Sequence, residues 1–312
     1  MPTIRIATFN CENLFARFNF NNGVQPPRDG FTINDLAFDL MDTRDKRITA
    51  AAIRETDADI ICLQEVDNQP VLDRFASEFL GTTATKRYRH RVLIDGNDPR
   101  HIDIGFLSRY PITAIRTHRH DRNAANTAAL FSRDCLKVEV DVAGQTLTLY
   151  GNHFKSMMGG RANTRARRVD QAEGMLAILK RDWGDALDGD FVVLGDLNDY
   201  PQADANGTTT ALSALLDDPG LVDPLERLAE KDRWTHYFAR ERAYRQLDYL
   251  LLSQGLAAKA HGNGKPGRVL KGLPWRAEGY AGNRFDDVGE DRPKASDHVP
   301  VYMDFDVGPA EV

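Results

Sequence analysis

The sequence predicts an α/β or α+β fold, on three observations. Short apolar or alternating segments of strand length recur from residue 4 to residue 305. Segments with apolar residues at helical spacing fall between them rather than after them, the mark of mixed α and β layers. The 312 residues, 42% hydrophobic and 28% charged, have the composition of an ordinary globular enzyme. A chain of this length buries roughly three quarters of its unfolded surface and needs no disulfide or metal staple to hold a core. A prior of roughly 100–200 residues per domain allows two domains, but no linker composition separates the halves. A single domain over residues 1–312 is expected.

The elements follow in order. Ile4, Ile6 and Thr8 alternate with Arg5, Ala7 and Phe9, giving a strand that ends at Asn10. Residues 17–45 are polar and carry Gly and Pro, which predicts a long surface loop. Asp45 to Thr56 is helical by pattern, with Ile48, Ala51, Ala52 and Ile53 on one face. Asp59–Gln64 is a buried strand that delivers Glu65 at its carboxyl end, and residues 71–80 form a short helix. Strands at 88–94 and 102–108 bracket the turn signal Asp95-Gly96-Asn97-Asp98-Pro99. Strands at 135–142 and 146–152 flank Ala143-Gly144-Gln145 as a hairpin. A helix over about 164–182 carries Val169, Ala172, Leu176 and Leu179 at helical spacing. Phe191–Leu194 is an apolar strand running into Gly195-Asp196-Leu197-Asn198. A helix near 208–217, a strand at 246–252, a mobile loop at 257–295 and a closing strand, Val299–Phe305, complete the reading.

Charge and cysteine content narrow the function. The net charge is −6 and the pI near 5.8. That argues against a protein that coats nucleic acid through a basic surface, although a cluster of acidic metal ligands would itself lower the charge. Cys11, Cys62 and Cys135 are odd in number and widely spaced, which gives neither a disulfide framework nor a zinc pattern. Cys62, inside Asp59-Ile60-Ile61-Cys62-Leu63, is expected to be a small buried hydrophobe. No apolar run approaches the roughly 20 residues that span a bilayer. Nor does the start resemble a signal peptide. Cytoplasmic is therefore the default, and secreted the expectation only if a signal peptide has been removed. Oligomeric state is not legible.

Polar residues stand at the ends of the apolar segments: Asn10, Glu65, His153 with Lys155, Asp196 with Asn198, Asp248, and Asp297 with His298. Strand ends on a rigid sheet hold catalytic groups in register, and all of these residue types suit a metal or a phosphate. Singly, each has a plainer explanation: a strand-terminating turn for Asn10, a solvated strand end for Glu65, an ordinary turn for Asp196 to Asn198, a structural histidine, a solvated lysine. Together they favour a site. Glu65 is a hard oxygen donor suited to Mg²⁺. Asp196 and Asn198, two apart, point to one side of an extended segment. Asp196 can orient or deprotonate water or protonate a leaving group, and Asn198 can donate to a phosphate oxygen without adding charge. His153 and Lys155 alternate onto one face in the same way.

Ala7-Thr8-Phe9-Asn10, Leu63-Gln64-Glu65-Val66, Gly195-Asp196-Leu197-Asn198, Leu247-Asp248-Tyr249 and Ser296-Asp297-His298, in this order, resemble the signature blocks of the endonuclease/exonuclease/phosphatase (DNase I-like) family. Gly105-Phe106-Leu107-Ser108-Arg109-Tyr110-Pro111-Ile112 matches a recurrent block between them, and the resemblance spans residues 4 to 305. Asn152-His153-Phe154-Lys155-Ser156 resembles bacterial secreted-nuclease-like members. The resemblance implies a four-layer α/β sandwich of two mostly antiparallel β-sheets flanked by helices, one active site at the strand ends, and one or two Mg²⁺ or Mn²⁺ ions.

It also implies roles. Asn10, Glu65 and Asp297 would hold metal. Asp248 and His298 would be the carboxylate–imidazole pair, the carboxylate fixing the tautomer and favouring the protonated ring, with His298 acting as a base toward water or as a cation against the phosphate. His153 would contact the phosphate or leaving oxygen. Glu12 is the weakest candidate. Basic runs at Lys86–Arg91, Arg116–Arg122 and Arg161–Arg168 are either solvated faces or substrate contacts. In the third run Arg165 or Arg168 could grip a phosphate bidentately, and Gln171 accompanies an arginine in related sequences. The function implied is a metal-dependent phosphodiester hydrolase using activated water, with DNA or RNA as the foremost substrate. A small-molecule or lipid phosphodiester or phosphomonoester is the alternative, since fold does not choose between them. A non-catalytic binding module is disfavoured, because every central position carries competent chemistry.

Overall fold

The computed structural model describes residues 3–20, 36–40, 42–81, 83 and 87–308. In chain order its strands are β1 (Thr3–Leu14), β2 (Ala16–Phe20), β3 (Leu36–Leu40), β4 (Ile60–Val66), β5 (His90–Leu93), β6 (Asp103–Ser108), β7 (Ile112–Arg116) and β8 (Cys135–Val142). They continue as β9 (Gln145–His153), β10 (Phe191–Asp196), β11 (Leu221–Val222), β12 (His236–Phe238), β13 (Ala243–Arg245), β14 (Asp248–Ser253), β15 (Gly267–Arg268) and β16 (Val301–Asp306). The α-helices are α1 (Thr43–Thr56), α2 (Gln69–Phe79), α3 (Arg161–Trp183), α4 (Ser213–Leu216) and α5 (Gln254–Ala258).

Two six-stranded sheets face one another, with strand orders β15-β16-β1-β4-β6-β5 and β11-β14-β10-β9-β8-β7. Each is antiparallel except for one pair, β1 with β4 and β9 with β10. Period-2 alternation sorts their side chains into three apolar layers. Ile4, Ile6, Ile60, Cys62 and Phe106 of the first sheet meet Leu149, Val192, Leu194, Leu250 and Leu252 of the second. The opposite parity of the first sheet, including Phe9, Ile61 and Leu63, packs on Ile53 of α1 and Leu72 and Phe75 of α2. In the second sheet, Tyr150, Val193 and Leu251 pack on Met175 and Leu179 of α3 and Leu215 of α4. The result is the four-layer sandwich that the family resemblance implied. The sheets approach closely at Gly151, where an added Cβ would lie 2.7 Å from the Phe106 ring and 2.9 Å from the Cys62 sulfur.

Several boundaries differ from the sequence reading, each for a local reason. The segment 17–45 is not all loop, since β2 and β3 pair antiparallel from Ala16↔Leu40 to Phe20↔Leu36; residues 21–35 and 41 lie outside the described residues. Helix α2 starts at Gln69 because the Asn68 side chain caps it, accepting from Val71 N at 3.0 Å, and Pro70 is tolerated in a first turn. The helix expected at 208–217 shrinks to Ser213–Leu216. The carbonyls of Thr208, Thr209 and Thr210 are drawn instead to the guanidinium groups of Arg161 and Arg165. The run 257–295 has little regular structure but is packed: Leu273 and Ala277 are fully buried against Tyr237 and Val299. The short strands β7, β11, β12, β13 and β15 were not predicted. All three cysteines are free and buried, as expected.

Candidate active site

The inner-face alternation that builds the central core also places the polar residues. Asn10 continues the parity of Ile4 and Ile6, His153 that of Leu147 and Leu149, Asp196 that of Val192 and Leu194, and Asp248 that of Leu250 and Leu252. All four are buried at one end of the space between the sheets. Gly195 permits this crossing: at φ 135° its missing Cβ would stand 1.9 Å from the Asn152 carbonyl oxygen.

Asn10 Nδ2 donates to Asp196 Oδ2 at 3.0 Å and lies 3.4 Å from Glu65 Oε1. Ser296 Oγ donates to the Asn10 carbonyl (2.7 Å) and accepts from His298 N (3.0 Å), tying the Ser-Asp-His loop to β1. Strict alternation would send Glu65 toward the helices with Ile61 and Leu63. Instead Glu65 adopts φ 63° in a β-bulge, the register with β6 shifts between Gln64 and Val66, and Val66 takes the helix-facing place. Glu65 Oε2 then accepts from Asn13 N (3.0 Å), and Oε1 stands 3.9 Å from His153 Nε2.

From there the groups form a row. His153 Nε2 is 3.7 Å from Asp196 Oδ2, which is 3.7 Å from His298 Nε2. His298 Nδ1 lies 2.8 Å from Asp248 Oδ2, which also accepts from Thr235 Oγ1 at 2.7 Å. Asp297 Oδ1 lies 3.9 Å from His298 Nε2, and Asp297 Oδ2 lies 3.7 Å from His236 Nε2. Burial opposes the charged form of His298, but Asp248 and Asp196 outweigh it and raise its pKa well above the usual value. His153 goes the other way, pushed well down first by burial and then by the Arg133 and His298 cations. Burial and Asp248 raise the Asp196 carboxyl against the opposing charge of His298. Two similar histidines are thus set to different protonation states by their neighbours.

The remaining expectations divide. Lys155 lies beside Arg133 and Arg100, which with burial lower its pKa, and its N–H donates to Gln171 Oε1 at 2.8 Å. Asn198 is at the site but not in an extended segment, because β10 ends at Asp196. Asn198 has φ 53°, its N–H donates to Asp196 Oδ1 (2.9 Å), and its Nδ2 donates to Phe154 O (3.1 Å). Arg168 is fully buried: Nε donates to Asp199 (3.0 Å), Nη1 to Thr164 Oγ1 (2.7 Å) and Nη2 to Arg161 O (2.9 Å). Arg165 donates to the Thr209 and Thr210 carbonyls at 2.9 and 2.8 Å. Arg168 therefore fastens the loop after β10 with its guanidinium buried, a correction to the sequence reading, and Arg165 fastens the same loop from a half-buried position. Glu12 is paired with Arg292 and Lys294, each at 2.8 Å.

Among the described residues, two sets of three carboxylate or imidazole groups bring ligand atoms within 4.8 Å of one another: Asp196, Asp248 and His298, and His236, Asp297 and His298. Asp297 thus groups with histidines, whereas Asn10 and Glu65 contact each other further along the row. Glu65 suits a hard divalent cation. It is about one-fifth exposed and receives one strong hydrogen bond, so its lone pairs are largely unspent. Thr235 and His236 were missed in the sequence, since the three-residue strand β12 gives too short a period to read. A cleft of about 1240 Å³ opens from Asn198, His236, Asp297 and His298 and runs outward past Tyr200 and Phe238.

The fold and this row of carboxylate, imidazole and amide groups define a phosphoesterase-type hydrolase. The endonuclease/exonuclease/phosphatase family model matches residues 5–306, and the chain belongs to that family of phosphoesterases. Solved structures similar in fold include sphingomyelinase C from Streptomyces griseocarneus (TM-score 0.58, 18% identity, 98% of this chain and 100% of that one). Another is TDP2 from D. rerio in complex with single-strand DNA product (0.57, 16%, 98% and 99%). The human Nocturnin catalytic domain with bound sulfate is a third (0.57, 15%, 97% and 94%). No curated protein sequence matches the chain.

Proposed function

We propose that this protein is a divalent-metal-dependent phosphodiesterase that cleaves nucleic acid by in-line attack of an activated water. The observation that carries the reading is His298, bound through Nδ1 to Asp248 at 2.8 Å and facing Asp196 through Nε2 at the mouth of an open cleft. Glu65, with Asn10 beside it and Asp297 across the row, would hold the cation. When bound, the cation supplies charge neutralisation at the phosphate and a more acidic water. The protein's own groups do the rest. The His298 imidazolium is a fixed positive charge for a non-bridging phosphate oxygen. Asp196, its carboxyl raised by burial, orients the water and accepts its proton. Neutral His153 donates to the phosphate or the leaving oxygen, and Lys155, Arg133 and Arg100 make that flank cationic.

Nucleic acid is supported by the cleft, where Tyr200, Trp234 and Phe238 offer aromatic surfaces beside Lys231, Arg240 and Arg245. Aromatic faces with cations suit single-stranded bases and backbone, and the D. rerio TDP2 relative is a DNA-product complex. One observation favours a lipid diester instead: Met158, 78% exposed, lines the same cleft, and a sphingomyelinase shares the fold. The purified protein should be assayed with Mg²⁺ or Mn²⁺ on single-stranded DNA, plasmid, RNA, sphingomyelin vesicles and bis-p-nitrophenyl phosphate, with EDTA controls. Nucleic-acid cleavage abolished by EDTA and restored by either metal is expected. Turnover of sphingomyelin or the small diester alone would transfer the assignment to the lipid or small-molecule reading.

A further inference from the structure

We propose that Glu12 is a positioning residue: clamped by Arg292 and Lys294, it holds the turn at Glu12 and Asn13 in the left-handed backbone that aims two N–H groups at Asn10 and Glu65. The positioning does not depend on the function proposed above. Its consequence, a preset cation-binding end of the site, rests on that function.

The turn is an insertion in β1. Between the pairs Asn10↔Gln64 and Leu14↔Val66, β1 takes four steps while β4 takes two. The surplus is taken up at Glu12 (φ 47°) and Asn13 (φ 65°), neither of them glycine. Such a backbone is unfavourable for residues with a Cβ and persists only where its surroundings hold it. It frees two N–H groups from the strand ladder and turns them on the site. Glu12 N donates to Asn10 Oδ1, and Asn13 N donates to Glu65 Oε2, both at 3.0 Å. An amide whose oxygen accepts one N–H presents its own NH₂ on the other side. The first bond therefore directs Asn10 Nδ2 to Asp196 Oδ2 at 3.0 Å. The second fixes one oxygen of Glu65 and leaves Oε1 facing His153.

The contacts that hold the turn converge on Glu12. Oε1 pairs with Arg292 Nη2 and Oε2 with Lys294 Nζ, each at 2.8 Å. Lys46, only 3% exposed, donates through Nζ to the Cys11 and Glu12 carbonyls at 2.7 and 2.9 Å. Arg292 also pairs with Asp45, and Lys294 N donates to Asp45 Oδ1 at 3.2 Å. The turn is thus tied to α1 and to the segment that leads into Ser296-Asp297-His298. With a guanidinium on one carboxylate oxygen and an ammonium on the other, both strong charge-assisted contacts, Glu12 is engaged by the clamp and acts on the site only through its backbone.

The test compares Glu12→Ala with Glu12→Gly in the full chain, after removal of metal with EDTA. Both lose the clamp, but glycine adopts a positive φ freely and alanine does not. In hydrogen–deuterium exchange of the metal-free protein, peptides covering residues 9–15 should lose protection in Glu12→Ala and keep more of it in Glu12→Gly. Mn²⁺ affinity, read from the paramagnetic resonance of the free ion, should fall by about tenfold or more in Glu12→Ala and by less in Glu12→Gly. Turnover of Glu12→Ala should recover as Mn²⁺ is raised, with KM for the substrate little changed. Should Glu12→Ala not fold by circular dichroism, Glu12→Gln, which keeps the side-chain length but not its charge, is measured against wild type with the same direction expected. Unchanged exchange at residues 9–15 overturns the positioning. Equal loss of Mn²⁺ affinity in the alanine and glycine variants overturns the backbone route, since it puts the carboxylate itself on the ion. Faster exchange with unchanged Mn²⁺ affinity overturns the consequence for the cation. If wild type binds no Mn²⁺, or Glu65→Gln binds it equally well, the cation-binding role of Glu65 fails, and the exchange result alone decides the positioning.

Discussion

His298 sits between two carboxylates, and the balance there fixes what it can do. Burial alone would keep the ring neutral; Asp248 at 2.8 Å and Asp196 at 3.7 Å reverse that. Glu65→Gln, Asp196→Asn and His298→Ala are each expected to lower kcat by about 10²–10⁴-fold, with thermal melts unchanged. Near-normal turnover in any of the three would remove that residue from the site. A different residue sets a pH dependence of stability. Asp103 is 1% exposed, and burial, against a hydrogen bond from Gly96 N, pushes its carboxyl up to about 6. The unfolded value is about 3.9, so between these pH values the folded state binds the proton more tightly. Stability from this group is therefore greatest below pH ~4 and falls as pH rises to about 6, by up to about 3 kcal/mol. Asp103→Asn keeps the oxygen that accepts from Gly96. Its stability advantage over wild type in urea should grow between pH 4 and pH 7, and a constant difference would refute the assignment.

At the scale of elements, the strand ends do the positioning. Six- to twelve-residue strands with one apolar parity carried Asn10, Asp196 and Asp248 onto the inner face, and that parity is readable from Ile4-Ile6-Thr8-Asn10 alone. The bulge at Glu65 was not readable, because nothing in Leu63-Gln64-Glu65-Val66 signals a left-handed residue other than glycine. The 208–217 helix failed for a similar reason: arginines from α3 claim the Thr208–Thr210 carbonyls, a contact made across about 45 residues of chain. Gly195→Ala should destabilise the protein by about 3 kcal/mol or more, seen as a lower urea midpoint, since its Cβ has no place beside Asn152. Arg168→Met should cost about 3–5 kcal/mol by leaving Asp199 with Arg161 as its one charged partner among the described residues. Below its melt, KM should change little. A raised KM with unchanged stability would restore Arg168 as a substrate contact.

The whole molecule carries −6, yet the cleft wall offers Lys231 and Arg240, with Arg245 paired to Glu241 at 2.6 Å. Attraction of a polyanion is therefore local, and it is screened within roughly 8–10 Å at physiological salt. Lys231→Glu with Arg240→Glu should raise KM for an oligonucleotide by about tenfold and flatten its salt dependence. Turnover of bis-p-nitrophenyl phosphate, which is too small to fill the cleft, should hold. Equal loss on both substrates would place these residues in folding or chemistry instead of binding.

The sequence by itself determined the mixture of strands and helices, because alternation and helical spacing are local properties of the chain, and the resemblance of its motifs to a known family implied the layers. It also singled out the strand-end residues that the fold gathers at one end of the two sheets, because these inherit the parity of the strand behind them. Only the tertiary structure decided which long side chains were free. Arg168 was one of two arginines that could have gripped a phosphate until its partner Asp199, 31 residues away, came into view. It likewise decided that His236 joins Asp297 and His298, since that trio is made by pairing a three-residue strand with a distant loop, and local periodicity carries no signal for such a contact.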